Sequence, residues 1–477
     1  MLRPLFCGFL SLVALSLVFL ASCSGGDGTG DRGPGDGGPG DGVTGDGVTG
    51  GTEGEQGEAP KARPSIVVVY CDDLRYDVLD APVEFPALER LAAEGVRFER
   101  SYVTTSRCCP SRASMLTGRR IGETGVRNNH PPVLPDLKTI AEVARESGYC
   151  TAWFGKWHLP NAGAKVPAGF DEWAGYEGPG SHFDQVFTDQ TGESFVAEGH
   201  QADWIFDRAE TFIRDANEAG QPFLLFVAPK NPHVPMTPAP RHAGSADGAV
   251  IELPETFRTE REALPRLEQN LRDRRSDRQG TETEEGMIEE TRRYWELVLA
   301  VDEGVAKLDG VLKDEGLGAS TLMLLTSDNG QMLGEHGMVQ KGLAYEASIR
   351  VPLFGRWPDR IPAGTVCDGF ALNIDLFPTL ARVMGADESA QAAPGQDLLP
   401  LVTGEVPPRE RFLYEAPNFG GRASIMAIVE PRWKYVRYSA PDDERLFDLR
   451  ADPAEATDES QNPERRAVLE RLRSEMP

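Results

Sequence analysis

Two pairs of polar residues carry oxygen atoms that could bind a hard divalent cation. Asp72 and Asp73 directly follow one short apolar run, and Asp328 and Asn329 follow another. Adjacent carboxylates repel each other, and burying them is costly unless a cation neutralises their charge. Three carboxylates and an amide, with no thiolate or imidazole, suit Ca²⁺ or Mg²⁺ better than Zn²⁺. The alternative for each pair alone is a helix cap for the first and a turn for the second.

A cysteine and an arginine lie in a stretch that could hold negative charge. Residues 106–119 read Ser-Arg-Cys-Cys-Pro-Ser-Arg-Ala-Ser-Met-Leu-Thr-Gly-Arg. Pro110 suits a first helical turn and Gly118 can end the helix, so Cys108 is predicted to lie just before the helix begins. Unpaired N–H groups at that end favour an anion, and Arg112 adds a fixed cation. Taken singly, a buried cysteine is usually a small core residue and such an arginine a solvated charge.

Four apolar runs are predicted to form strands that are buried on both faces. Patterns typical of helices separate them, for example at Leu137–Ser147 and Tyr294–Lys313. This alternation predicts an α/β fold with a mostly parallel central sheet flanked by helices. The working residues of such a sheet lie beyond the carboxyl ends of its strands. The runs are Ile66–Tyr70, Tyr149–Phe154, Phe223–Ala228 and Thr321–Thr326.

The cysteine-containing stretch resembles the signature of the type I sulfatases, Cys-x-Pro-Ser-Arg-x-x-x-Leu-Thr-Gly-Arg, which here begins at Cys108. In that family the first cysteine is oxidised to Cα-formylglycine, so the resemblance implies this modification at Cys108 by a separate formylglycine-generating enzyme. It implies an alkaline-phosphatase-like large domain with a small C-terminal antiparallel-sheet subdomain. It also implies a calcium ion, with magnesium less favoured, bound by Asp72, Asp73, Asp328 and Asn329.

Basic residues extend the resemblance along the chain. Gly-Lys-Trp-His follows the second apolar run, and Lys-Asn-Pro-His-Val-Pro follows the third. Isolated lysines and histidines are ordinarily solvated or structural. Both segments nevertheless resemble sulfatase active-site loops, which implies that Lys156 and His158 contact the formylglycine and that His233 binds sulfate or protonates the leaving group. Lys341 matches the second sulfate-binding lysine of the family, in a stretch that continues to Tyr-Glu-Ala-Ser-Ile-Arg-Val-Pro.

The reaction implied by the resemblance is hydrolysis of a sulfate ester. The metal ion and a set of basic side chains would stabilise the negative charge on the sulfuryl oxygens. A hydroxyl of the hydrated aldehyde would attack sulfur, helped by a carboxylate such as Asp328, and His158 would then remove a proton so that the aldehyde reforms. The basic set is Arg112, Lys156, His233 and Lys341.

Other polar residues receive weaker predictions. Lys230 and His336 are assigned structural or substrate-rim roles. The segment Phe257–Arg293, dense in both signs of charge, is predicted to be a solvated helix and loop, with the rim of a polyanion-binding cleft as the alternative. Surface and substrate-facing roles both remain open for His130, His182, His200 and His242.

The N-terminus predicts export. Residues 1–22 combine an early arginine with an apolar run and are predicted to be a lipoprotein signal peptide. The sequence Leu-Ala-Ser-Cys resembles a bacterial lipobox, which implies a lipid anchor on Cys23 and a place in the cell envelope, in the periplasm, outer membrane or cell surface. An ordinary signal peptide is the alternative. Residues 23–60 are rich in Gly and Asp and are predicted to be a flexible tether.

The rest of the chain is long enough for a large domain and a smaller one. We predict a catalytic domain over 61–405 and a small antiparallel-sheet subdomain over 406–477. The net charge of −26 argues against nucleic acid as a partner and requires a local basic site for any anionic substrate. The membrane is expected to be contacted only through the lipid anchor.

The motifs also suggest a substrate class. The cysteine-containing stretch together with Asn128 and Asn129 most resembles the N-acetylglucosamine-6-sulfatases and heparan endosulfatases, whereas Lys-Trp-His at 156–158 is more typical of arylsulfatase-type enzymes. The resemblance therefore implies a sulfated carbohydrate, such as N-acetylglucosamine-6-sulfate or another glycan sulfate. Two alternatives are a phosphomonoester or phosphonate monoester hydrolase of the same superfamily, and a non-catalytic surface lipoprotein that binds sulfated glycans.

Overall fold

The computed structural model describes residues 63–130, 137–159, 166–419, 423–439 and 442–477. The predicted signal peptide, lipid anchor and tether lie outside the described residues. Along the described ranges, no helix combines the length and the apolar composition needed to cross a membrane.

Strands and helices alternate along most of the chain. The strands are β1 Ile66–Cys71, β2 Val96–Tyr102, β3 Cys150–Lys156, β4 Glu172–Tyr176, β5 Phe183–Asp189, β6 Ser194–His200, β7 Phe223–Ala228, β8 Leu322–Ser327, β9 Met332–Leu333, β10 Val339–Gln340, β11 Leu353–Arg356, β12 Thr365–Leu372, β13 Phe412–Phe419, β14 Ala423–Val429, β15 Trp433–Ser439 and β16 Asp442–Asp448. The helices are α1 Pro86–Ala93, α2 Cys108–Thr117, α3 Ile121–Thr124, α4 Ile140–Glu146, α5 Gln201–Glu218, α6 Arg266–Gln279, α7 Glu284–Asp314, α8 Glu346–Ile349, α9 Leu376–Val383, α10 Asp387–Ala392, α11 Leu398–Val402 and α12 Arg466–Glu475.

A ten-stranded sheet forms the centre of the large domain. Its strand order is β12, β2, β11, β8, β1, β7, β3, β4, β5, β6. The four strands predicted from apolar runs are β1, β3, β7 and β8; they are consecutive in this order, and each adjacent pair is parallel. All residues of these four strands are buried. The predicted fold class, a mostly parallel sheet flanked by helices, is confirmed.

Antiparallel strands occur outside this parallel centre. β11 pairs antiparallel with both β8 and β2, and the hairpin β5–β6 extends the far edge through β4. In that hairpin Val186 pairs with Val196, and both side chains are exposed. The central strands differ, because all of their side chains are buried. Sequence patterning missed these edge strands because they lack a continuous apolar run.

The C-terminal region forms a separate four-stranded antiparallel sheet in the order β13, β14, β15, β16. One apolar cluster joins this sheet to the large domain and includes Tyr102, Leu343, Phe370 and Tyr414. In a second apolar cluster, residues of α12 pack against other residues of the small sheet. The predicted small antiparallel subdomain is thus present.

The charged segment before α7 is only partly solvated. α6 begins at Arg266, and its Glu268 is completely buried. Leu267 and Leu271 on the same helix pack against the apolar cluster beneath the small sheet. The prediction of a wholly solvated helix is therefore wrong for one face of α6, because a helix of mostly charged residues can still bury a narrow face.

Candidate active site

The predicted site residues come together beyond the carboxyl ends of the four central strands. Asp72 and Asp73 follow β1, Asp328 and Asn329 follow β8, Lys156 ends β3, and His233 lies in the loop after β7. Backbone bonds bring these ends together, since the Asp328 N–H donates to the Cys71 carbonyl at 3.1 Å and the Asp72 N–H donates to the Asn231 carbonyl at 3.2 Å. Parallel pairing places all of these loops on one edge, as expected for an open α/β sheet.

Oxygen atoms from the two acidic pairs form a buried cluster. The Asp73 N–H lies 3.3 Å from Asp328 Oδ1, and Asn329 Nδ2 donates to Asp73 Oδ1 at 2.5 Å. Asn329 Oδ1 is buried and has no hydrogen-bond partner among the residues that the structure describes. A hard cation could bind this unpaired oxygen together with oxygens of the three carboxylates. The donor set therefore fits the predicted calcium ion.

The pKa values of these three carboxyl groups also favour a cation at this cluster. Burial, followed by the charge of Asp72, raises the pKa of Asp328 to about 7. Burial also raises the pKa of Asp73. Burial opposes ionisation of Asp72 as well, but Lys156 and the other nearby basic groups hold the pKa of this carboxyl well below its usual value. Three carboxyl groups lie close together in a buried site, and a divalent ion would stabilise the ionised form of each of them.

Cys108 lies against this acidic cluster. Its Sγ is 3.6 Å from Asp72 Oδ1 and 3.7 Å from Lys156 Nζ. One possible metal-ligand atom from each of four side chains lies within 4.8 Å of the others, at Asp72, Asp73, Cys108 and His233. Burial raises the pKa of the Cys108 thiol to about 11, so the unmodified side chain is a poor nucleophile at neutral pH. An unmodified cysteine would therefore serve this site badly.

The helix that carries Cys108 begins one residue earlier than predicted. Cys108 is the first residue of α2, and Arg107 is the N-cap residue with extended φ and ψ. Gly118 ends the helix in the left-handed conformation, with φ of 66°. The prediction that Cys108 lies just before the helix is wrong by one position, but Cys108 is still at the helix N-terminus, where N–H groups are unpaired.

Three basic side chains pair with the carboxylates around Cys108. Arg112 Nε donates to Asp328 Oδ2 at 2.8 Å, and Arg112 Nη2 lies 4.0 Å from Asp72 Oδ1. The Lys156 ammonium bonds to Asp72, and the Lys341 ammonium bonds to Asp73. Burial opposes the charge of both lysines, yet the neighbouring aspartates raise the pKa of each ammonium above its usual value. All three remain cationic at neutral pH.

His158 is held in a strained backbone conformation. Its φ is 63°, a value uncommon for a residue with a side chain. Its N–H donates to the Tyr176 carbonyl at 3.2 Å, and its carbonyl accepts from Cys109 Sγ at 2.8 Å. Its Nδ1 is buried, and no residue in the described ranges pairs with it. Burial, reinforced by the Lys156 charge, lowers the pKa of the ring to about 2. His158 is thus an uncharged imidazole at neutral pH.

The two ring nitrogens of His233 contact different residues. Its Nε2 is 3.8 Å from Asp73 Oδ2, and its Nδ1 is 3.0 Å from Lys230 Nζ. Burial, followed by the Lys341 charge, lowers the pKa of the His233 ring well below its usual value. Burial also lowers the pKa of Lys230, to about 8. The roles of all these residues remain predictions.

Several residues that support the site were not found from the sequence. The Tyr294 hydroxyl donates to the Asp73 carbonyl at 2.8 Å and accepts from the Arg75 N–H at 2.9 Å. Ser327 Oγ accepts from the Leu74 N–H at 2.8 Å. Tyr294 belongs to an amphipathic helix pattern and Ser327 follows an apolar run, so nothing in either pattern distinguishes them from ordinary core residues.

The histidines outside the motifs divide into two groups. His182, His200 and His242 are buried, whereas His130 is exposed. The His182 and His200 rings stack with centroids 5.9 Å apart. His182 Nε2 lies 2.7 Å from the His233 carbonyl. His182 therefore supports the loop that carries His233.

Comparison with known proteins places this site in context. Residues 64–386 match the Sulfatase family profile, and residues 334–477 match that of the C-terminal region of N-sulphoglucosamine sulphohydrolase. An N-acetylglucosamine-6-O-sulfatase of Bacteroides thetaiotaomicron is 27% identical over 463 residues, which cover 82% of this chain and 82% of the relative. A choline-sulfatase of Rhizobium meliloti is 31% identical over 438 residues, with 84% and 83% covered. The solved structure of BT4656 in complex with its substrate D-glucosamine-2-N,6-O-disulfate superimposes with a TM-score of 0.76 at 26% identity, with 86% of this chain and 96% of that chain covered.

Proposed function

Because this chain belongs to the sulfatase family and is a sulfuric ester hydrolase, we propose that it hydrolyses the sulfate ester of a sulfated carbohydrate, using a formylglycine derived from Cys108 and a bound calcium ion. The observation that carries the proposal is the convergence of carboxylates, ammonium groups and imidazoles around Cys108. Asp72 Oδ1 lies 3.6 Å and Lys156 Nζ 3.7 Å from its Sγ. A cysteine used only for packing would not need such surroundings.

The acidic cluster would hold the calcium ion. Its ligands would come from the carboxylates of Asp72, Asp73 and Asp328 and from the unpaired Oδ1 of Asn329. When bound, the ion would supply Lewis-acid stabilisation of negative charge on the sulfuryl group. The three carboxylates are balanced by the three cations Arg112, Lys156 and Lys341. A divalent ion would therefore leave the site with net positive charge, which suits an anionic substrate within an acidic protein.

The basic side chains would bind and orient the sulfate group. The Lys156 ammonium bonds to Asp72 and the Lys341 ammonium bonds to the adjacent Asp73. Each ammonium group could also donate a hydrogen bond to an incoming sulfate group. Arg112 is buried and held by the Lys156 carbonyl at 2.5 Å and by Asp328. Its charge is therefore fixed in place before substrate binds, which is the preorganised electrostatics that stabilises a charged transition state.

Proton transfer would fall to the two histidines. A hydrated formylglycine side chain would supply one hydroxyl as the nucleophile and a second whose deprotonation regenerates the aldehyde. The His158 ring is uncharged, so one of its nitrogens offers a lone pair for that proton. His233, whose Nε2 faces Asp73, would bind the sulfate group or, in its protonated form, donate a proton to the departing oxygen of the alcohol.

The substrate class rests on relatives as well as on the site. The named relatives include an N-acetylglucosamine-6-O-sulfatase, and the BT4656 structure contains D-glucosamine-2-N,6-O-disulfate. Both support a sulfated sugar, although the choline-sulfatase relative has the higher identity. We therefore include choline sulfate beside sulfated glycans in the test of substrate.

The decisive experiment combines maturation with substitution of Cys108. Protein co-expressed with a formylglycine-generating enzyme should carry formylglycine at position 108 by mass spectrometry and should release sulfate from a panel of sulfated sugars. Cys108→Ala should abolish sulfate release, whereas Cys367→Ala, which removes another buried free thiol, should leave it intact. An active Cys108→Ala variant would refute the proposed chemistry.

The same panel separates the alternatives. Faster cleavage of phosphate or phosphonate monoesters than of any sulfate ester would identify a phosphonate hydrolase-type enzyme. Binding of sulfated glycans by matured protein without sulfate release would identify a binding protein.

We also propose that the protein is exported and anchored by lipid on Cys23. The apolar N-terminal segment and the Leu-Ala-Ser-Cys sequence support this proposal. Metabolic labelling with a radioactive fatty acid should mark the wild-type protein and leave Cys23→Ser unlabelled. A labelled Cys23→Ser variant would contradict it.

A further inference from the structure

We propose that Ser348 is a positioning residue that sets the place of Lys341 relative to Cys108. The inference rests on the proposed function, in which Lys341 binds the sulfate group beside the modified side chain at position 108. Ser348 belongs to the short helix α8 and is completely buried. It occupies an unassigned position in the stretch that follows Lys341.

The hydroxyl of Ser348 joins the two segments that carry these residues. Its Oγ accepts from the Gly342 N–H at 3.0 Å, and Gly342 directly follows Lys341. The same hydroxyl donates to Ser106 Oγ at 3.0 Å, in the segment that leads into Cys108. One buried hydroxyl therefore fixes the spacing between the two segments.

The backbone of Ser348 also contacts the segment of the second acidic pair. The Ser348 carbonyl accepts from the Gly330 N–H at 3.0 Å, directly after Asn329. The two backbones approach closely, since a Cβ at Gly330 would lie 2.2 Å from the Ala347 carbonyl oxygen. This contact does not use the hydroxyl. A substitution that removes only the hydroxyl therefore leaves the Asn329 segment attached to α8.

Helix α8 is itself held by buried hydrogen bonds. Its first residue, Glu346, accepts from the Tyr102 hydroxyl at 2.7 Å. At its other end the Ile349 carbonyl accepts from the Val103 N–H at 2.9 Å. Buried hydrogen bonds are costly to leave unmade, so α8 should stay in place when the Ser348 hydroxyl is removed. The two segments would then lose a shared anchor while the anchor's own helix remains.

Small displacements of these segments should matter for catalysis. The Lys341 ammonium bonds to Asp73, and Cys108 Sγ lies 3.6 Å from Asp72 Oδ1, so both segments contact the acidic pair that follows β1. A misplacement of about 1 Å can lower an enzymatic rate about 100-fold. Removal of the shared anchor would let Lys341 and position 108 move independently of each other.

Ser348→Ala tests this inference. The variant should have a kcat/KM for a sulfated sugar about 10- to 100-fold below that of the wild type, because the sulfate-binding ammonium and the nucleophile are no longer held in register. Rates are divided by the formylglycine content from mass spectrometry, so that incomplete maturation does not count as lost catalysis. They are measured well below the thermal unfolding midpoint of each variant.

Thr379→Val is the matched control. Thr379 Oγ1 is also buried, donates to the Asp375 carbonyl at 2.7 Å and accepts from the Leu398 N–H at 2.9 Å. Both substitutions should lower the thermal unfolding midpoint, since each removes a buried hydroxyl that bonds a backbone N–H. Thr379→Val should nevertheless keep the kcat/KM of the wild type. Equal losses of kcat/KM in the two variants, or no loss in Ser348→Ala, would overturn the inference.

Amide hydrogen exchange gives a readout that does not depend on activity. In Ser348→Ala the Gly342 amide should exchange about fivefold faster or more, because it loses its acceptor, while the Leu398 amide should exchange as in the wild type. Thr379→Val should show the reverse pattern. Unchanged exchange at Gly342 in Ser348→Ala would contradict its anchoring by Ser348.

Ser106→Ala decides the matter if Ser348→Ala does not fold. It removes the bond between the two serines but keeps the bond from Gly342, so it should lower kcat/KM and leave exchange at Gly342 unchanged. Its effect should be smaller in the Ser348→Ala background, where the shared bond is already lost. A Ser106→Ala variant with the kcat/KM of the wild type would overturn the inference. Absence of sulfate release from matured wild-type protein would instead refute the proposed function, and hydrogen exchange would still show whether Ser348 anchors the Lys341 segment.

Discussion

At the scale of single residues, backbone strain coincides with chemistry. Asp73 and His158 both have positive φ, 72° and 63°, although neither is glycine. Each is held by hydrogen bonds: Tyr294 donates to the Asp73 carbonyl, and the His158 N–H donates to the Tyr176 carbonyl. Such conformations cost free energy and persist where the surrounding structure determines them. Here they aim one carboxylate and one imidazole into the same site.

Asn329 provides a test of the proposed ion at this scale. Its Oδ1 has no partner among the described residues, whereas its Nδ2 donates to Asp73 and to the Gly330 carbonyl. Calcium should raise the thermal unfolding midpoint of the wild type, and Asn329→Ala should reduce that gain. If the substitution weakens calcium affinity tenfold, the stabilisation by saturating calcium should fall by about 1.4 kcal/mol.

The measurement is differential scanning calorimetry with calcium and with a chelator, which does not depend on catalytic activity. Asp314→Asn, at the exposed end of α7, should respond to calcium as the wild type does. Equal calcium gains in wild type and Asn329→Ala would contradict a role for Asn329 as a ligand.

At the scale of elements, close pairing of β3 with β7 positions the two loops that carry Lys156, His158 and His233. Gly155 has φ of 122°, and a Cβ at this position would lie 2.0 Å from the Ala228 carbonyl oxygen. No backbone carbonyl can be that close to a side-chain carbon, so the approach of the two strands requires glycine. The position of Lys156 in the site therefore depends on the residue just before it.

Gly155→Ala should both destabilise the fold and impair the site. We expect a loss on the order of 3 kcal/mol in the free energy of unfolding, because overpacking adds to the unfavourable φ. Gly178→Ala is the matched control: its φ is 80° and nothing lies within 4 Å of the added Cβ. It should cost about 1 to 2 kcal/mol. The measurement is urea unfolding. An equal loss in the free energy of unfolding for the two variants would contradict the predicted steric clash at Gly155.

At the scale of the whole molecule, buried carboxylates connect the small sheet to the loop that carries Lys341. Glu268 of α6 accepts from Tyr345 at 2.8 Å and from Tyr438 of β15. Lys434 of the same strand bonds to Glu455 and to Glu346, each at 2.7 Å. These contacts link α6, the small sheet and the segment that follows Lys341, so the C-terminal region helps to position that segment.

Glu268 should make stability depend on pH. Burial raises its pKa to about 7, above the ordinary value of 4.5. Between these two values the folded protein retains a proton that the unfolded chain has lost, so the free energy of unfolding should fall as pH rises through this window. The fall attributable to Glu268 is about 3 kcal/mol.

Glu268→Gln cannot ionise, so its unfolding free energy should fall less between pH 4.5 and 7 than that of the wild type, measured by urea unfolding across that range. Glu262→Gln, at an exposed position nearby, should follow the wild-type curve. Parallel curves for wild type and Glu268→Gln would contradict the assignment.

Much of the site could be predicted from local sequence. The four central strands are continuous apolar runs, and such runs indicate strands buried on both faces wherever they occur. Polar residues directly after them, at Asp72, Lys156 and Asp328, must then share one edge of a parallel sheet. The edge strand β5 could not be predicted in the same way, because its buried position 185 holds Gln and its exposed position 186 holds Val, which hides the alternation typical of a half-buried strand.

The sequence by itself determined which residue types carry the chemistry, which strands form the parallel centre, and the resemblance to the sulfatases. Only the tertiary structure decided that Lys230 contacts the His233 ring, that Tyr294 holds Asp73, and that Glu268 is buried between two tyrosines. The physical reason is that hydrogen-bond pairing and pKa depend on distances between side chains and on burial. Distances and burial do not follow from the type of a single residue, because both are set by neighbours that the fold brings together.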